Sequence, residues 1–284
     1  MLTTTYEMLQ KAYEGHYAVP AINTQGGTYD IIRDVCMAAE ELRSPVILAH
    51  YVNTGAYSGH DWFYETAKWM AGKVSVPVAI HLDHGDSFER CMEMLKLGFT
   101  SIMFDGSALP VEENAAATEA VARVCRSFGE PLEAEIGELC RLDDRGNKIG
   151  ASNIADPDVV RQYLKLCHPD SLAIGIGNAH GFYNGPVDIR VEVLEECRKF
   201  TDIPFVLHGC TGMDEELVKR SIDSGVAKIN FGTQVRCQYV NYLKEGLAEG
   251  KDQGHAWKLS QYAELRLRED IKDIIRLAGS KEKA

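Results

Sequence analysis

Eight short apolar runs, each reading as a strand and each followed by a helical pattern, constrain the fold more than any other feature of the chain. They lie at 17–23, 45–50, 77–82, 100–105, 131–136, 171–178, 204–208 and 227–231. Helical periodicity occupies 3–14 and then, between the runs, roughly 29–42, 62–72, 87–97, 112–128, 156–166, 188–200 and 214–224. Proline opens four of the strands (Pro45, Pro77, Pro131, Pro204), where its missing N–H costs least. Runs that are apolar almost throughout belong to parallel strands covered on both faces. Such an alternation within 284 residues predicts a closed (β/α)8 TIM barrel, with a doubly wound open sheet as the alternative. No linker interrupts it, so 1–284 reads as a single barrel domain with a C-terminal helical extension and tail over about 256–284. That extension either plugs the bottom of the barrel or serves as a dimerisation arm. The polar stretch 138–153 after the fifth strand has neither helix nor strand signal and reads as a lid or a disordered loop.

Three of the strands run into histidine followed at once by glycine: His84-Gly85, His180-Gly181 and His208-Gly209. One such histidine is ordinarily a satisfied core or surface residue. Three at matched positions read as the ligands of one metal, with a fourth position left open, as in catalytic zinc sites. They come from the third, sixth and seventh strands, which only a closed ring brings around one centre. His16, His60, His168 and His255 read as ordinary, and His81, on the strand face of Asp83, as a residue that orients its neighbours. His50 ends the second strand on the same surface, and its role stays open. Asp83 beside a ligand either moves a proton at a substrate hydroxyl or accepts an orienting hydrogen bond. Asp105 and Glu135 add acids to the same rim.

An anion seat follows from Gly209-Cys210-Thr211-Gly212 after strand seven and Asn230-Phe231-Gly232-Thr233 after strand eight, each leading into a helix. Backbone N–H groups in those loops and a helix N-terminus form the usual phosphate cradle of barrels, and glycine lets the anion come close. A metal with an open position, a phosphate cradle and an acid beside the metal point to retro-aldol cleavage of a phosphorylated ketose. The metal acts there as Lewis acid and Asp83 as the base.

The formal charge of −12 argues against a general affinity for nucleic acid or anionic membranes. No apolar run reaches membrane-spanning length and no signal peptide is evident, so a cytoplasmic location is expected. Eight scattered cysteines without a C-x-x-C pair read as reduced structural thiols.

In these runs the chain resembles the class II (zinc-dependent) fructose/tagatose-bisphosphate aldolases. The matching stretches are Val19 to Asn23, Ser44 to Ile47, His81 to Gly85, Asp105 to Ser107 with Glu112 to Asn114, and Glu133 to Gly137. Gly177 to Gly181, Leu207 to Gly209, and Lys228 to Asn230 with Thr233 complete them. The resemblance implies one zinc per subunit on His84, His180 and His208, and Asp83 as acid/base at the aldehyde oxygen. It implies Glu135 as a candidate for proton transfer on the dihydroxyacetone phosphate half. The phosphate of that half would lie on Gly181, Gly209, Cys210, Thr211, Asn230, Phe231, Gly232 and Thr233. A monovalent cation near the phosphate and a homodimer or homotetramer are also implied.

The chain departs from that pattern where other members carry lysine soon after the second His-Gly; here Phe182, Tyr183 and Asn184 follow. Cys140-Arg141 and Asp143-Asp144 stand in place of a glycine pair and an acidic pair, and His50-Tyr51-Val52-Asn53 stands where a small hydroxylic residue is usual. The far end of the substrate is therefore expected to carry a phosphate, carboxylate, sulfonate or plain hydroxyl, met by His50, Asn53 or Arg141. Asn23 and Asp105 are further candidates for orienting or far-end contacts. The alternatives are another metal-dependent sugar-phosphate lyase or a non-catalytic sugar-phosphate-binding barrel. A Schiff-base mechanism would need Lys228, which at the start of its strand is expected to point away from the rim.

Overall fold

The structure, a computed structural model, describes residues 1–137, 154–183 and 188–284 with their side chains and 140–142 and 148–149 as backbone. The strands are β1 (Val19–Asn23), β2 (Val46–Tyr51), β3 (Val78–Gly85), β4 (Ser101–Phe104), β5 (Leu132–Ile136), β6 (Cys140–Leu142), β7 (Lys148–Ile149), β8 (Ser171–Ile174), β9 (Ala179–His180), β10 (Phe205–Leu207) and β11 (Val226–Phe231). The helices are α1 (Thr5–Glu14), α2 (Tyr29–Leu42), α3 (Val52–Ser58), α4 (His60–Ala71), α5 (Phe88–Leu97), α6 (Val111–Phe128), α7 (Pro157–Leu166), α8 (Glu192–Arg198), α9 (Glu215–Asp223), α10 (Thr233–Ala248) and α11 (Ala256–Leu277).

Eight parallel strands close a ring in the order β1-β11-β10-β8-β5-β4-β3-β2. Parallel neighbours need long crossovers, and the helices between them supply these while covering the outer face of the sheet. In α2 the buried Ile31, Ile32, Val35, Cys36, Ala39 and Leu42 fall on one helical face, which meets outward residues of the ring such as Ile22, Leu48 and Ile80. The helix stops at Arg43, in a left-handed conformation with φ 50°. Inside the ring, Val19, Ala21, Ile47 and Ala79 pack on Met8, Leu9 and Ala12 of α1.

It is thus α1 that closes the bottom of the barrel, tied there by the Thr3 N–H to the Val78 carbonyl and by the Thr5 and Ser101 hydroxyls, 2.9 Å apart. The C-terminal extension does not plug the barrel. α11 lies along the outside against α2 and α10, where Arg268 pairs with buried Asp34 at 2.9 Å and with Glu41 at 3.4 Å. Among the described residues no helix is long and apolar enough to cross a membrane, and the cysteines are free thiols.

Two local readings change. The sixth strand stops at Ile174, and His180 sits on a separate short strand, β9, which pairs in parallel with β6. The stretch after β5, read as loop, therefore contains strand: β6 pairs with β7 antiparallel, giving a small sheet β7-β6-β9 at the mouth. Two- and three-residue strands are too short to leave a period in the sequence. The connection after β2, for which the sequence offered no helical pattern, forms α3.

Candidate active site

The carboxyl ends of the barrel strands surround a cavity of about 610 Å³. In a regular strand Asp83 and His84 would face opposite sides of the sheet. The β3–β4 register slips between Leu82 and Gly85, and His84 takes the left-handed region at φ 54°. This bulge brings both side chains to the cavity, the re-aiming that bulges perform beside active sites. Gly85 makes it possible, since a Cβ there would stand 2.4 Å from the Met103 carbonyl.

His84 Nδ1 lies 2.7 Å from Asp105 Oδ2, while Ser107 donates to Asp105 Oδ1 through its N–H (3.1 Å) and hydroxyl (2.7 Å). The His84 Nδ1–H donates to that carboxylate, which leaves Nε2, buried and without a protein partner, facing inward. His208 is oriented the other way round. Its Nε2 is 3.0 Å from Glu133 Oε1, and its Nδ1 is 3.1 Å from Asn230 Nδ2 and 4.0 Å from Asp83 Oδ1. His180 completes the group. Ring centroids are 4.7 Å (His84–His208), 5.2 Å (His84–His180) and 6.1 Å (His180–His208) apart. One nitrogen from each lies within 4.8 Å of the others. Three imidazoles converging with an orphaned buried nitrogen fit a divalent metal with one open position. His84, Asp105 and Glu135 form a second grouping of the same compactness.

Electrostatics divide the acids. Burial works to raise the Asp83 carboxyl, but the charge of His84, joined by that of Lys228, outweighs it and holds Asp83 below its ordinary value. Asn230 Nδ2 donates to Asp83 Oδ1 at 3.1 Å. Glu135 goes the other way: burial, reinforced by Asp105, pushes it well above the carboxylate range. Its Oε2 has no protein partner and lies 3.7 Å from His84 Nδ1. An ionised and a protonated carboxyl on one cavity suit base and acid roles respectively.

On one side of the cavity Gly181, Gly209, Thr211, Asn230, Phe231, Gly232 and Thr233 line the wall. Gly209 has φ 67°, and a Cβ on it would meet the Ala179 carbonyl at 2.3 Å. α10 begins there with Gly232 at its N-cap, no capping side chain and no acid in its first turn, so its N-terminus suits an anion. Asn23, Tyr51, Asn53, Thr54, Ser107 and Ala108 contribute to the rest of the lining. Asn53 Nδ2 donates to the Tyr51 hydroxyl at 2.9 Å, and Asn23 Oδ1 accepts from the Gln25 amide groups.

Several expectations change here. Cys210 does not reach the cavity: its thiol donates to the Leu207 carbonyl and its N–H to that of Asn230. His50 is fully buried behind the wall, stacked on Phe63 at 4.2 Å with Nε2 2.8 Å from His60 Nδ1, so it meets no far end. Lys228, expected away from the rim, does lie beneath it, inside the barrel and bonded to Glu133. The Arg141 side chain, Asp143, Asp144 and Asn184 lie outside the described residues. Arg236 was missed. It is the one arginine or lysine among the described residues lining the cavity, and its place in the first turns of α10, straight after the Asn230–Thr233 run, was the signal available.

The family model for class-II fructose-bisphosphate aldolase matches residues 3–283. The chain is similar to the fructose-bisphosphate aldolase of Mycoplasma pneumoniae, 37% identical over 256 residues, 89% of this chain and 87% of that protein. It is similar to the probable fructose-bisphosphate aldolase of Bacillus subtilis, 36% identical over 289 residues, 100% of this chain and 99% of that protein. The crystal structure of the YdjI aldolase from Escherichia coli K12 superposes with a TM-score of 0.87 at 30% identity, covering 100% of both chains.

Proposed function

The chain belongs to the class II fructose-bisphosphate aldolases, zinc-dependent lyases, and on that premise we propose that it reversibly cleaves a ketose 1-phosphate to dihydroxyacetone phosphate and an aldehyde. The observation that carries this reading is the convergence of three imidazoles beside a glycine-lined anion seat in one cavity. His84 through Nε2, His208 through Nδ1, and His180 would hold one zinc per subunit. Bound zinc supplies Lewis acidity, polarising the substrate carbonyl and stabilising the negative charge of bond cleavage.

The remaining steps fall to side chains. The substrate phosphate rests on the Gly209 and Gly232 loops and the start of α10. Asp83, ionised and held by Asn230, takes the proton of the hydroxyl on the far carbon of the breaking bond. That hydroxyl carbon becomes the aldehyde, and the electron pair of the broken bond stays on the dihydroxyacetone phosphate carbon. Glu135, kept protonated by its buried setting, returns a proton to that carbon. Tyr51, Asn53 and Ser107 line the cavity as candidates for far-end contact, and Arg236, in the first turns of α10, adds a cation on the side of the phosphate seat. A cytoplasmic homodimer or homotetramer of one-domain subunits, with a monovalent cation near the phosphate, completes the proposal.

The test is a panel of ketose 1-phosphates with phosphate, carboxylate, sulfonate or hydroxyl termini, assayed for dihydroxyacetone phosphate release with EDTA and with added zinc. Release that stops on chelation and returns with zinc supports the reading. R236A should raise KM about tenfold or more for every ketose 1-phosphate whatever its terminus, the order of one charge-assisted hydrogen bond. Release indifferent to metal removal would reject it.

A further inference from the structure

One layer beneath the histidines, where barrels of this kind are usually packed with Val, Ile and Leu, the core is ionic. Lys228 and Glu133 are 0% and 2% exposed, and the Lys228 ammonium makes three hydrogen bonds: to Glu133 Oε1 (2.9 Å), to Glu133 Oε2 (2.7 Å) and to His81 Nε2 (3.0 Å). His81 Nδ1 then meets Ser101 Oγ at 2.7 Å, and Ser101 meets Thr5 of α1 at 2.9 Å. A buried ion pair is seldom more stabilising than the apolar residues that would fill its volume, so stability alone does not account for it.

The bonding fixes each proton. An ammonium only donates, so His81 Nε2 is bare and its Nδ1–H points to Ser101. A carboxylate only accepts. Glu133, both of whose oxygens accept from Lys228, therefore requires the proton of His208 on Nε2, 3.0 Å away. His208 Nδ1 is left bare on the side of His84 and His180. A neutral carboxyl at the same place would donate to Nε2 and drive the proton onto Nδ1, blocking the lone pair.

We propose that the Lys228–Glu133 pair is a positioning device that sets the tautomer and ring orientation of His208, presenting Nδ1 to the metal. The inference rests on the metal site proposed above. It also assigns Lys228 a duty other than amine nucleophile.

Metal-free protein labelled with 15N-histidine would report the tautomer directly through two-bond nitrogen–proton correlations, with His208 assigned by loss of its signals in H208A. The expected spectrum shows His208 protonated on Nε2. In E133Q, whose amide both donates and accepts, the Nδ1–H form should appear. Zinc affinity by chelator competition should then fall about 10- to 100-fold, as for other residues that orient a metal-bound histidine. Wild-type tautomer and affinity in a folded E133Q would overturn the inference. Should E133Q not fold, the wild-type spectrum decides: an Nδ1-protonated His208 overturns it. Stoichiometric zinc binding by wild type alongside such a spectrum would sink this inference and leave the proposed function standing. Failure of wild type to bind zinc would sink both.

Discussion

In the metal-free protein His84 keeps its proton to a pH of about 10: burial opposes the charge, but the Asp105 hydrogen bond and the Asp83 carboxylate outweigh burial. The folded value lies above the ordinary 6.5, so this contribution to stability is complete below pH 6.5 and is lost as pH rises toward 10. Zinc must displace the same proton. Its affinity should therefore climb about tenfold per pH unit up to that range, with close to one proton released at pH 7. Calorimetry in buffers of different ionisation heat measures that release, and none would show that His84 is already neutral. His208 behaves oppositely: burial, then the charges of His84 and Lys228, keep it neutral and ready to ligate. Asp83→Asn should bind zinc as wild type does yet lose about 10²- to 10⁴-fold in kcat, the usual loss for a general base. An active D83N enzyme would return Asp83 to the orienting role that its sequence position equally allowed.

At the scale of elements, the loop from β10 to α9 and the start of α10 hold the anion seat in place. Gly209→Ala adds a Cβ against the Ala179 carbonyl at a positive φ, a strain of roughly 1–2 kcal/mol from the backbone alone. The loop should shift, raising KM for any ketose 1-phosphate about tenfold while zinc content stays at wild type. Titrations with inorganic phosphate would show the same weakening. α11 is held differently, by Arg268 on an Asp34 that is fully buried in α2. Arg268→Met removes one partner of a buried pair and leaves the other uncompensated. Burial and Glu264 push the Asp34 carboxyl up to about 8, so urea unfolding at pH 9 should show a loss of about 3–5 kcal/mol, and a loss under 1 kcal/mol would mean that water reaches Asp34.

For the molecule as a whole, the apolar clusters fill the sheet–helix interface and the barrel floor, whereas the proposed metal site stands at the rim. Chelation should therefore abolish aldol cleavage while the far-ultraviolet dichroism keeps its native form, and borohydride with substrate should trap nothing, since all three Lys228 protons are engaged. The ring itself was legible in the sequence because barrel strands buried on both faces leave unbroken apolar runs, and these cannot be hidden by tertiary context. The three His-Gly pairs, Asp83, Glu135 and the glycine loops were legible for a related reason: strand ends are where a short chain segment turns from apolar to chemical. A regular strand would turn Asp83 and His84 to opposite faces, and only the slip in the β3–β4 pairing between Leu82 and Gly85 put both on one cavity. The His84 bulge, the β9–β6 pairing that seats His180, the burial of His50 and the proton order running from Lys228 to His208 all depend on contacts between distant segments. Local pattern determines which residues reach an end of a strand; which way they then face is settled by what the neighbouring strands have left open.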